Sequence, residues 1–105
     1  MGKLIDQVRE LTFGWVRKGG KIGRREQVRI MLDFAGDVET LGPTSLGQVG
    51  ARQVIQYWKA NRHLSDATLM SRWYSIRHLW TLAGKSGEPP KPRLSQDVTA
   101  NKQTP

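Results

Sequence analysis

The chain has 105 residues, no cysteine, and 17 Lys and Arg against 9 Asp and Glu, for a net charge of +8. That length is room for one small domain, and the missing cysteines exclude disulfides and thiolate metal sites. No apolar run approaches a membrane span and no signal-peptide pattern opens the chain, so a cytoplasmic location with no membrane partner is expected.

The charge is unevenly spread. Residues 1–30 carry +5, residues 31–50 carry −3, residues 51–84 carry +4 and residues 85–105 carry +2. An acidic middle between basic flanks points to a folded domain with a charged side rather than a basic tail. A polyanion is the natural partner.

The first helix is predicted over about 3–18, where Leu4, Val8, Leu11 and Trp15 recur at helical spacing with Ile5 and Val16 alongside, and Gly19-Gly20 stops it. The second is predicted over about 24–40. Glu26 is expected in its first turn, Val28, Met31, Phe34, Ala35 and Val38 form its stripe, and Gly36 is a weak point inside it. Leu41-Gly42-Pro43 ends it. A short loop with one turn near Ser45–Gln48 leads to a third helix over about 50–62, with Ala51, Val54, Ile55 and Trp58 on one face. The fourth, over about 66–83, opens at the N-cap Ser65 and closes at Gly84. Beyond it, three prolines in four positions and no periodic apolar pattern make residues 85–105 a flexible linker or disordered tail. No strand pattern competes. The expected fold is therefore all-α: a small four-helix bundle over residues 1–84 with a disordered C-terminal tail.

The fourth helix carries the functional reading. At 100° per residue, Leu69, Trp73, Ile76, Trp80 and Ala83 fall within an arc of roughly 80°, a core stripe that buries both tryptophans. Beside it run Arg72, Thr68, Ser75, Ser71 and His78, a polar arc; Arg77 lies on the opposite flank. One Arg and short hydroxyls suit close approach to a duplex, with phosphate oxygens and guanine edges as acceptors. On the second helix, Arg24, Arg25 and Arg29, preceded by Lys21, place cations against the helix dipole, which phosphates would offset. Lys21, Arg24, Arg25, Arg29, Thr68, Ser71, Arg72, Ser75 and Arg77 are thus the expected DNA contacts.

Catalysis finds little support. His63 and His78 lie in different segments without a carboxylate at ligand spacing, and Gly19-Gly20 and Gly23 lack a phosphate-loop ending. Asp33, Asp37 and Glu39 have no calcium-loop spacing and read as a solvated patch turned from DNA. Neither Tyr57 nor Tyr74 has an activating constellation. No cofactor or metal is expected.

From Arg24 to Pro92 the chain resembles the N-terminal, SAM-like core-binding domain of phage-type integrases, the tyrosine recombinases. "RREQVRIMLDFAGDV" is similar to that family's basic helix and Phe-Ala stretch, and "LGQVGARQVIQYW" to its next helix. "LSDATLMSRWYSIRHLW" is similar to its Leu-Ser-x-x-Thr helix, with Thr68 at the Thr position, and "LAGKSGEPPKPR" to the exit towards the catalytic domain. The resemblance implies a helical domain that sits over one face of a recombination site while a C-terminal catalytic domain closes over the other. The family's catalytic residues belong to that second domain, so none carries over, and this segment is expected not to be an enzyme. It also implies a fragment or isolated domain, monomeric alone, of a bacterial or phage-encoded protein that serves DNA integration. A second reading, from another class, is a basic helical protein–protein module with an acidic partner. A helix-turn-helix regulator fits less well, because no short recognition helix follows a tight turn.

Overall fold

A computed structural model describes residues 2–19 and 22–94. Four α-helices and one short 3-10 turn follow in order: α1 Lys3–Gly19, α2 Ile22–Glu39, the turn Leu46–Gln48, α3 Ala51–Ala60 and α4 Asp66–Leu82. All four predicted helices are present, with ends shifted by one or two residues, as fraying ends allow. The shift at α2 has one consequence. The helix starts at Ile22, so Glu26 lies beyond its first turn and does not complement the dipole.

α1 and α2 form a helical hairpin, and α2 also packs against α3 and α4. The stripes read from the sequence supply the core: Leu4 and Val8 from α1, Met31, Phe34, Ala35 and Val38 from α2, Val54, Tyr57 and Trp58 from α3, Leu69, Trp73, Ile76, Leu79 and Trp80 from α4. Phe34 and Tyr57 meet edge to face at 4.9 Å, fastening α2 to α3. Gly36, the weak point expected inside α2, faces α1 without being required there for space. A methyl group there would stand 3.7 Å from the Ile5 side chain of α1.

Polar side chains fix the ends. Glu39, expected as part of a solvated patch, instead accepts the Ile5 N–H at 3.3 Å and places its charge at the start of α1, where the dipole favours an anion. The Gln7 side chain accepts the Leu46 N–H at 2.7 Å and ties α1 to the 3-10 turn. Gln53 accepts the Gly50 N–H at 2.8 Å before α3. Ser65 caps α4 as expected, accepting the Thr68 N–H at 3.2 Å.

The domain does not stop at Gly84. Residues 85–94 lie back across the bundle: Pro89 and Pro92 are buried and Leu94 packs on the core. The Trp73 indole N–H donates to the Pro89 carbonyl at 3.0 Å, and the Trp58 indole N–H to the Pro90 carbonyl at 2.9 Å. The first ten residues of the expected linker are thus a strap held by two tryptophans. The physical reason is that a buried indole N–H needs an acceptor, and consecutive carbonyls of an extended proline segment are free to serve. The rest of the expected tail, 95–105, lies outside the described residues.

Candidate nucleic-acid interface

The buried arc of α4 is twice as wide as the 80° stripe. Leu79 and Ser75 are buried along with Leu69, Trp73, Ile76 and Trp80, which spans roughly 160°. The helix is flanked on both sides, by the α1–α2 hairpin and by the 85–94 strap, so it needs a wide contact face. Two expected DNA contacts fall inside that arc. Ser75 is fully buried and its hydroxyl donates to the Ser71 carbonyl at 3.3 Å. Arg72 is half-buried and its Nη1 donates to the Tyr57 hydroxyl at 2.6 Å, while its Nε is buried without a partner among the described residues. Both are turned inward: Ser75 is spent within its own helix, and Arg72 ties α4 to Tyr57 of α3. Burial pushes the Tyr57 phenol up from its usual range, against the lowering effect of the Arg72 hydrogen bond and charge.

The other expected contacts divide into engaged and open groups. The Ser65 hydroxyl donates to Thr68 Oγ1 at 2.9 Å, so the Thr68 side chain is part of the α4 cap. Arg29 is held between Glu26 and Asp33, the latter at 3.1 Å, and its hydrogen bonds hold the Glu26 carboxyl below the usual carboxylate range. Arg77 pairs with Glu88 of the strap at 3.1 Å and lies 5.6 Å from the Trp73 ring centroid. Arg24 donates to the Trp15 carbonyl at 2.7 Å and stacks over the Trp15 ring at 4.7 Å. Arg25 and Ser71 are exposed, and Arg25 forms no ion pair among the described residues. Lys21 lies outside the described residues.

What remains outward on α4 is a stripe opposite Ile76. Ala67, Met70, Ser71, Tyr74 and His78 line a shallow depression of about 520 Å³ with Gln27 of α2 on its other bank. Tyr74 is 48% exposed and rests edge-on against Trp73 at 5.1 Å. At one end, His78 stacks near Trp15 at 5.4 Å, beneath Arg24 on the same ring. Partial burial, then the charges of Arg77 and Arg24, hold the His78 imidazole below its ordinary value of 6.5. The site therefore combines an amide, a hydroxyl, a phenol and an imidazole along one groove, where partial burial, helped by two nearby cations, disfavours a further proton. The polar-arc reading reached Ser71 and His78 of this set but not Gln27, Met70 or Tyr74; the outward spacing at 67, 70, 71, 74 and 78 was the available signal.

A second concave surface lies on the other side of α4. It is a groove of about 540 Å³ between α3 and the strap, lined by Ile55, Trp58, Lys59, Arg62, Leu69 and residues 91–94. Among the described residues no helix is long and apolar enough to cross a membrane, and no cluster of three or more His, Cys, Asp or Glu could hold a metal. Compared with known proteins, the chain matches no family model, no curated protein and no solved structure.

Proposed function

We propose that the chain is a DNA-binding module that holds duplex DNA against the α2–α4 face, as the core-binding domain of a phage-type integrase would. The observation that carries this reading is the α2–α4 depression. Gln27, Ser71, Tyr74 and His78 offer hydrogen-bonding groups at one surface, with Arg24 and Arg77 acting on the same imidazole and Arg25 exposed on α2. Hydroxyls, amides and guanidiniums are the groups that bind phosphates and base edges. The net charge of +8 supports it, because cations that displace condensed counterions supply sequence-independent affinity. The integrase assignment rests on the sequence resemblance, and a catalytic domain elsewhere in the parent protein would supply the recombination chemistry. Binding by this domain alone is weak and nearly indifferent to sequence.

The test is a titration of the protein with a short fluorescent duplex across salt concentrations. If about four phosphates are neutralised, the log–log slope is about −3.6. Amide shifts on adding duplex centre on Arg25, Gln27, Ser71, Tyr74 and His78. Affinity that stays flat with salt, or shifts that leave α2 and α4 silent, sinks the proposal.

A further inference from the structure

The groove between α3 and the strap has a different chemistry from the α2–α4 face. Its rim carries four exposed cations, Lys59, Arg62, Lys91 and Arg93, and no carboxylate lines it. Lys59, Arg62 and Arg93 form no ion pair among the described residues, and Lys91 lies 5.0 Å from the Trp73 ring centroid. The floor is apolar: Ile55, Trp58, Leu69, Pro92 and Leu94. Ile55 is 44% exposed, an apolar side chain left beside the buried Val54, Tyr57 and Trp58 of α3. The one polar atom of the Trp58 ring is spent on the Pro90 carbonyl, so the indole offers the groove only its apolar surface.

We infer that this groove binds an acidic amphipathic peptide segment of a partner protein, with apolar side chains on the Ile55–Trp58–Leu69 floor and carboxylates against the four rim cations. Two features favour this occupant over a nucleic acid. A sugar-phosphate strand has nothing to place on a floor of Ile, Leu and Pro, whereas an amphipathic helix or turn buries its apolar face there. The arrangement of charge also follows the anatomy of a peptide interface, with an apolar centre and a charged rim that steers association. The site is independent of the DNA proposal: Leu69 and Ser71 project from α4 roughly 160° apart, so the two surfaces lie on opposite sides of the helix. A module with both would bridge duplex DNA and an acidic partner.

The experiment uses the full chain and a fluorescein-labelled synthetic peptide of Glu and Leu, with Leu at helical spacing. A second peptide has every Leu replaced by Ser. The Leu peptide binds and the Ser peptide binds at least about ten-fold more weakly. Amide shifts centre on Ile55, Lys59, Arg62, Leu69 and residues 91–94. Ile55→Asp, and separately Lys59→Glu, weaken the Leu peptide about five-fold or more, while the amide shifts caused by duplex stay on the α2–α4 face. Because both side chains are exposed, the melting temperature reports folding in each case, and Lys59→Glu carries the test if Ile55→Asp unfolds. Equal binding of the two peptides would make the groove a mere charge patch and overturn the inference. So would displacement of the peptide by duplex from the same amides. Self-association of the chain, reversed by these substitutions and unaffected by the peptide, would assign the groove to a second copy and equally overturn it.

Discussion

Arg72 of α4 donates a 2.6 Å hydrogen bond to the hydroxyl of Tyr57, a residue of α3 that is 2% exposed. Two polar groups that could each have faced solvent are turned towards each other at a helix junction. Removing one leaves the other with lost solvation and no replacement. Tyr57→Phe and Arg72→Ala are each expected to destabilise the fold by about 1–3 kcal/mol in urea unfolding. The double variant Tyr57→Phe/Arg72→Ala is expected to lose less than the sum, as coupled groups do. An Arg72→Ala protein with unchanged stability but weaker DNA binding would restore the residue to the interface.

The tryptophan anchors make a second prediction. Trp73→Ala is expected to cost about 3–5 kcal/mol, the usual range for emptying an aromatic site. Trp73→Phe keeps most of the ring and removes only the donor to Pro89, so its cost is about 1 kcal/mol. Its distinctive effect is local: amide exchange rises across residues 85–94, at Lys85, Glu88 and Lys91, more than in the helices. Uniform exchange rates in wild type and variant would show that the indole does not hold the strap.

On the second helix, two arginines of equal formal charge are expected to behave differently. Arg25→Ala weakens duplex binding and lowers the salt slope by about one. Arg29→Ala does less, because Glu26 and Asp33 already occupy its guanidinium. Ser75→Ala, fully buried, leaves binding unchanged. Duplex titrations of the three variants at two salt concentrations check the order; Arg29→Ala as the most damaging would overturn it.

His78 makes stability and binding depend on pH. Its folded value is depressed below the ordinary 6.5, so the unfolded chain binds the proton more readily. Stability from this group is fully present above that ordinary value and is lost as pH falls below it towards the depressed value. Thermal melts between pH 7.5 and 5 therefore show a fall that His78→Gln removes. Phosphates beside the imidazole reverse the bias, so duplex affinity rises over the same fall in pH, and His78→Gln flattens that rise as well. An unaltered affinity profile in the variant would place DNA elsewhere.

The helices were legible because each has a stripe and a stop: Leu4, Val8 and Leu11 before Gly19, Phe34 and Val38 before Pro43, Ser65 before the Trp73 turn. The fold class follows from those alone. The site was half legible. Arg25 and Ser71 are exposed as read, but Arg24, Arg72 and Ser75 were read as outward and are turned onto the protein. Sequence periodicity finds the centre of a buried face more readily than its width, and width depends on how many neighbours press on the helix. The strap escaped for a similar reason. Pro89, Pro90 and Pro92 have no apolar period, and what holds the strap is a pair of indole donors that come from 16 and 32 residues away.

The two indole hydrogen bonds also give the chain a heading. Trp73 and Trp58 stand on different helices and take the carbonyls of successive residues, so the backbone at Pro89–Pro90 is fixed at two points rather than one. Two points define a direction. The strap therefore runs across the bundle on one bearing, like a plank nailed twice rather than once, and Leu94 is brought back onto the core at its far end.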